Sequence, residues 1–78
     1  MKDQAEYQKA LGQVITARRE KLGYSREKFA RILGKGTDYI TSLEDGNYNH
    51  LNLSDMMTIA RALQLPLSTL FALAESNC

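Results

Sequence analysis

What most constrains this chain is how often it is interrupted. Gly23, Gly34, Gly36, Gly46 and Pro66 cut the sequence into short pieces, and the pieces carry apolar residues at helical spacing. The pieces 26–33 and 37–45 are joined only by Gly34, Lys35 and Gly36, a joint so short that the two helices must pack at a steep angle or as antiparallel neighbours. The spacing predicts a first helix over 5–22, with Leu11, Val14, Ile15, Arg18 and Leu22 on one side and Gly23 as its terminator. Ser25 is suited to cap the second helix, with Glu27 in its first turn and Phe29, Ala30 and Leu33 turned inward. In the third, Ile40 and Leu43 share a face and Gly46 follows as the stop. A polar Gly/Asn loop comes next. Asn52 and Asp55 then fit a capping box for a helix over 53–64, whose apolar face reads Leu53, Met56, Met57, Ile59, Ala60 and Leu63. Pro66 suits the start of a fifth helix over 67–75. No alternating run bounded by turn residues reads as a strand. The expectation is an all-α, compact five-helix domain over 11–75, with residues 1–10 extending the first helix and 76–78 as a frayed tail.

A length of 78 residues allows one small core, and an apolar fraction of 44% is that of a folded chain. The single Cys, Cys78, excludes a disulfide framework and a Cys-based zinc site. No phosphate-loop or calcium-loop spacing occurs, and no cofactor, metal or small-molecule ligand is expected. His50, the one His, has no Ser, Cys or carboxylate at motif spacing and reads as solvated rather than catalytic, so the chain is not expected to be an enzyme. Met56 and Met57 read as packing, and Arg31 and Arg61 as solvated. With no signal-like or membrane-length apolar run, a cytoplasmic location is the expectation.

The net charge of +1 hides an asymmetry. Residues 18–35 hold Arg18, Arg19, Lys21, Arg26, Lys28, Arg31 and Lys35 against Glu20 and Glu27, a balance of +5, whereas 36–78 hold Arg61 against five acids, a balance of −4. A polyanion-facing side is compatible with that division. The outward face of 36–46 is peculiar within it. Thr37, Asp38, Thr41, Ser42 and Asp45 are short hydrogen-bonding or acidic groups with no Lys or Arg among them.

The motifs, taken in order, are Arg19; Ser25-x-Glu27-x-Phe29-Ala30; Ile40-x-x-Leu43-Glu44-x-Gly46; and Ile59-Ala-Arg-Ala-Leu63 followed by Leu65-Pro-Leu-Ser-Thr-Leu-Phe71. Over roughly residues 11–73 they resemble the Xre-type helix-turn-helix domain of lambdoid phage repressors and restriction–modification controller proteins. The resemblance implies a lambda-repressor-like fold and a sequence-specific, double-stranded-DNA-binding transcriptional regulator, usually a homodimer on a two-fold operator, with its third helix in the major groove. It makes Thr37, Asp38, Tyr39, Thr41 and Ser42 the candidates for reading bases, and Asp38 can accept from a cytosine amino group. Phosphate contacts hold such a protein in place while base edges specify, so cations need not lie on the third helix. Arg26, Lys28, Lys35, Asn47 and Asn49 are the phosphate candidates.

This sequence departs from the family's habit in having Arg26 where Gln is common, Lys35 where an apolar residue is usual, no Arg, Gln or Lys at 37 and 38, and Asn47, Tyr48, Asn49 and His50 where the loop often holds cations. Arg19 and Glu44 interrupt apolar faces and are placed together by the resemblance, so an inward ion pair is expected. Leu67, Leu70, Phe71 and Leu73 crowd the fifth helix beyond what one small core should cover, and are the expected dimer interface. The acidic third helix keeps an alternative open, an antitoxin-like or adaptor module that uses the same fold to bind protein.

Overall fold

In a computed structural model, which describes residues 4–48 and 51–77, the chain forms five helices: α1 (Gln4–Lys21), α2 (Arg26–Leu33), α3 (Thr37–Glu44), α4 (Leu53–Ala62) and α5 (Leu67–Ser76). No strand occurs among the described residues. The phosphate candidate Asn49, His50, expected to be solvated, and the terminal Cys78 lie outside the described residues.

Each helix begins and ends for a local reason. The Ser25 side chain accepts from the Lys28 N–H at the start of α2, and Gly34 closes that helix in the left-handed region at φ 70°. Gly36 caps α3 without a side chain, which lets the two helices follow each other closely. Asn52 and Asp55 form the reciprocal capping box of α4. That helix ends at Ala62, before the expected residue 64, because Gln64 turns left-handed at φ 60° and the Leu65 N–H folds back to the Ala60 carbonyl. A non-glycine residue thus serves where glycine is usual.

The core gathers Leu11 and Ile15 of α1, Phe29 of α2, Ile40 and Leu43 of α3, Ile59 of α4, Leu63 just beyond it and Leu70 of α5, all at most 2% exposed. Several expectations need correction. On α4, Leu53 and Met57 are outside, at 63% and 46% exposed, and the buried set is Met56, Ile59 and Ala60 with Leu63 after the helix end. The apolar residues of this helix span more of its circumference than the core can cover. On α5, Leu70 is fully buried in the protein's own core and Leu67 and Phe71 pack half-buried against it, which leaves Leu73, 44% exposed, as the free member of the expected interface. α5 ends at Ser76, one residue past the expected end, and Asn77 donates from its side chain to Gln13 Oε1 at 2.8 Å. Arg18, assigned to the apolar side of α1, instead reaches the end of α4 and donates through Nε to the Leu63 carbonyl at 2.9 Å.

Two glycines set the approach of α1 to the end of α3. A Cβ on Gly12 would lie 2.4 Å from the Glu44 carbonyl oxygen, and one on Gly46 would lie 2.7 Å from Lys9 Cα. Gly46 also has φ 72°, so it is required twice, for its backbone and for the contact. This close seat lets the side chain of Arg19, on α1, reach Glu44, the last residue of α3.

Candidate nucleic-acid interface

α3 presents its N-terminal turn to solvent. Thr37 and Asp38 are exposed, Thr41 and Ser42 half-buried, and Ile40 and Leu43 anchor the opposite side in the core. Asp38 lies in the first turn, where the helix dipole favours an anion. The helix has no cation, and Asp45 beyond it is exposed.

Tyr39 stands apart from the other base-reading candidates. It is half-buried and packed against the core, sharing a recess with Leu33, Lys35, Asp55, Thr58 and Ile59. Burial pushes its hydroxyl pKa above the ordinary tyrosine value of 10.0, and the nearby Asp55 carboxylate adds to the effect. Its ring therefore faces α4 as much as solvent, and the Lys35 ammonium sits 5.2 Å from the ring centroid. Lys28 is placed similarly, 5.2 Å from the centroid of Tyr24, which stacks on Phe29. Both lysines are exposed beside the two-helix unit. Asn47 is exposed, and its backbone N–H is spent on the Ser42 carbonyl at 2.8 Å.

Beneath this surface lies a cluster of two arginines on one carboxylate. Arg19 donates from Nε to Glu44 Oε2 at 2.6 Å and from Nη2 to Oε1 at 3.3 Å, and its Nη1 donates to the Tyr24 carbonyl at 2.7 Å. Arg19 and Glu44 side chains are 9% and 1% exposed. Sequence reasoning did not find the third member: Arg26, first residue of α2, donates from Nε to Glu44 Oε1 at 3.1 Å while its side chain stays 42% exposed. No buried side-chain nitrogen or oxygen among the described residues lacks a partner, so the buried charges are hydrogen-bonded as such groups must be. The cluster ties α1 and the start of α2 to the end of α3.

Two further residues escape a reading of the sequence, and only one of them carries a signal. A glycine inside an 18-residue helix, Gly12, costs helix stability and so marks a close approach. Arg18, one position before the ion-pair arginine, has no local sign that it caps a helix end 45 residues on. Among the described residues no group of three His, Cys, Asp or Glu side chains is arranged to hold a metal ion, and no single helix is long and apolar enough to cross a membrane.

The family model described as helix-turn-helix matches residues 15–70, the span that holds all of α2 to α4. The chain belongs to the helix-turn-helix family and is, in class, a DNA-binding transcription regulator. Its fold is similar to that of the clp gene regulator ClgR from Corynebacterium glutamicum, at 18% identity and a TM-score of 0.83, with 91% of this chain and 90% of that one covered. It is similar to the restriction–modification controller protein C.AhdI from Aeromonas hydrophila at 26% identity and a TM-score of 0.78, covering 88% of this chain and 99% of that one. The hypothetical transcription factor NHTF from Neisseria aligns at 26% identity and a TM-score of 0.76, over 88% of this chain and 76% of that one. No curated protein matches the sequence.

Proposed function

We propose that the protein is a sequence-specific regulator that binds double-stranded DNA as a homodimer, with α3 in the major groove. The observation that carries the reading is the combination of a small polar turn, Thr37 and Asp38, exposed at the start of α3, with a cation, Arg26 at the start of α2, that is tied to Glu44 at the other end of the same helix. Thr37 and Asp38 read base edges, with Thr41 and Ser42 contributing from deeper on the helix, and Tyr39 does so only at its exposed edge. Arg26, Lys28 and Lys35 contact phosphate, with Asn47 and Asn49 at the loop after α3. The reading includes a cytoplasmic location.

For dimerisation the supporting residue is Leu73, beside a groove between α1 and α5 lined by Val14, Ala17 and Leu65. A two-fold axis there makes the patch meet itself, and half-sites about 34 Å apart, one turn of DNA, follow from the class of motif. Exposed Asp38 and Asp45 favour one rival, a module that binds protein. Salt separates the two. Duplex affinity that falls steeply with rising salt supports DNA binding, because released counterions drive it. Absence of salt-dependent duplex binding would remove the reading.

A further inference from the structure

We propose that Glu44 is a positioning residue for the DNA contact: it holds one edge of the Arg26 guanidinium so that the other edge is presented to a backbone phosphate in a fixed orientation before DNA arrives. The inference rests on the DNA-binding reading above and adds to it a residue that touches no DNA.

The geometry begins with charge. Glu44 is a single carboxylate, 1% exposed, that accepts from two guanidiniums. Arg19 engages both of its oxygens, and Arg26 shares Oε1 at 3.1 Å. The other acid nearby, Glu20, is exposed and stands 3.8 Å from Arg19, not from Arg26. Two guanidiniums thus share one buried carboxylate, and the one with no other acid among its ion pairs is Arg26, the more exposed of the two. A guanidinium carries five N–H donors in a rigid plane. The Nε of Arg26 is taken by Glu44, and its two Nη groups make no hydrogen bond among the described residues. Phosphate accepts two such donors side by side. Arg26 also opens α2, where the first backbone N–H groups have no intrahelical partner and favour an anion.

Holding the side chain from behind removes rotamer freedom during folding that would otherwise be lost on binding. It also fixes where the phosphate lies relative to the reading helix, because Glu44 is the last residue of α3. Lys28 and Lys35 have no such tether beyond their positions over tyrosine rings. A lysine at position 26 would be a point charge, able to face Glu44 or the phosphate but without the planar fork that serves both.

The test uses the intact chain and a duplex of arbitrary sequence, with affinity measured across salt concentrations and melting curves recorded for each variant. Arg26→Lys keeps the charge, so the slope of log affinity against log salt should stay near the parent's while affinity falls about 5–10-fold. Arg26→Ala should lose affinity further and flatten the slope by about one unit. Arg26→Lys binding within twofold of the parent would overturn the positioning role while leaving the DNA-binding reading intact. A parent that binds no duplex at low salt would remove both. On the parent itself, the Arg26 Nε–H resonance should be protected from exchange in the free protein and persist when duplex is added. Loss of that resonance on DNA binding would mean that phosphate pulls the arginine away from Glu44, which also overturns the proposal.

Discussion

At the scale of single residues, Gly12 makes the sharpest claim. Its missing side chain lets α1 lie against the Glu44 carbonyl, and a Cβ there would sit 2.4 Å from that oxygen. Both sides of the contact are backbone, so nothing flexible can yield. Gly12→Ala should cost about 1–3 kcal/mol, as overpacking does, and lower the melting temperature by about 4–8 °C for each kcal/mol. An unchanged melting curve would mean that the helices stand farther apart. Glu44→Ala removes the shared acceptor of two arginines, and stranding buried charge costs about 3–5 kcal/mol, close to the whole stability of a small domain. A denaturant midpoint near the parent's would contradict the buried cluster. Tyr39 and Tyr48 bear on alkaline stability. Burial raises both hydroxyl pKa values above 10.0, with Asp55 adding to Tyr39 and Tyr7 to Tyr48. The folded state then keeps protons that the unfolded chain gives up. Stability should be intact below about pH 10 and decline as pH rises through the folded values. Tyr39→Phe should make that decline shallower in pH-dependent denaturant titrations; an identical alkaline limb would show that Tyr39 does not contribute.

At the scale of elements, the sequence is most readable where chemistry is local. Ser25, Gly34, Asn52 and Pro66 each do at a helix end what a residue of their type does anywhere, and those boundaries fall where expected. The end of α4 falls short of expectation because Gln64 carries no sign of a left-handed turn. Its conformation is imposed by Leu65 folding back to Ala60. Gln64→Gly relieves the strain at φ 60° and should raise stability by about 0.5–1 kcal/mol; a loss of stability would show that the Gln64 side chain, 3.4 Å from the Tyr24 hydroxyl, matters more than its backbone. Which apolar residues of α4 and α5 turn outward is not legible, since periodicity gives a face and not its width. Leu53 and Met57 fall outside it, and Leu70 falls inside. Of the proposed reading surface, the spacing of α3 gives which residues face away from Ile40 and Leu43 but not how deep they lie: Thr37 and Asp38 are open, whereas the tertiary packing that half-buries Tyr39 against α4 leaves no trace in that spacing. Arg26 is a phosphate candidate from its place in the chain, and its hold on Glu44, 18 residues on, comes only from the folded arrangement.

At the scale of the whole molecule, the extents of 35 × 22 × 21 Å suit the proposal that each copy covers one half-site. In the proposed dimer, association would set how steeply occupancy responds to concentration. With Leu73 the exposed large apolar residue of α5, Leu73→Glu should turn the proposed dimer into a monomer in sedimentation at micromolar concentration while its helical content stays the parent's, and the melting temperature should lose the concentration dependence that a dimer confers. A parent that already sediments as a monomer, with one copy bound per site, would remove the dimer. The central claim is that α3 reads sequence while α2 anchors. Selection of bound duplexes from a random pool tests it most directly, run in parallel with the parent, Asp38→Ala and Arg26→Ala. The account predicts an enriched two-fold sequence for the parent, the same sequence recovered more weakly with Arg26→Ala, and a relaxed preference at one base pair of each half-site with Asp38→Ala, a discrimination of about 1–3 kcal/mol. A pool that stays random with the parent, or a preferred sequence that changes with Arg26 and not with Asp38, would contradict it.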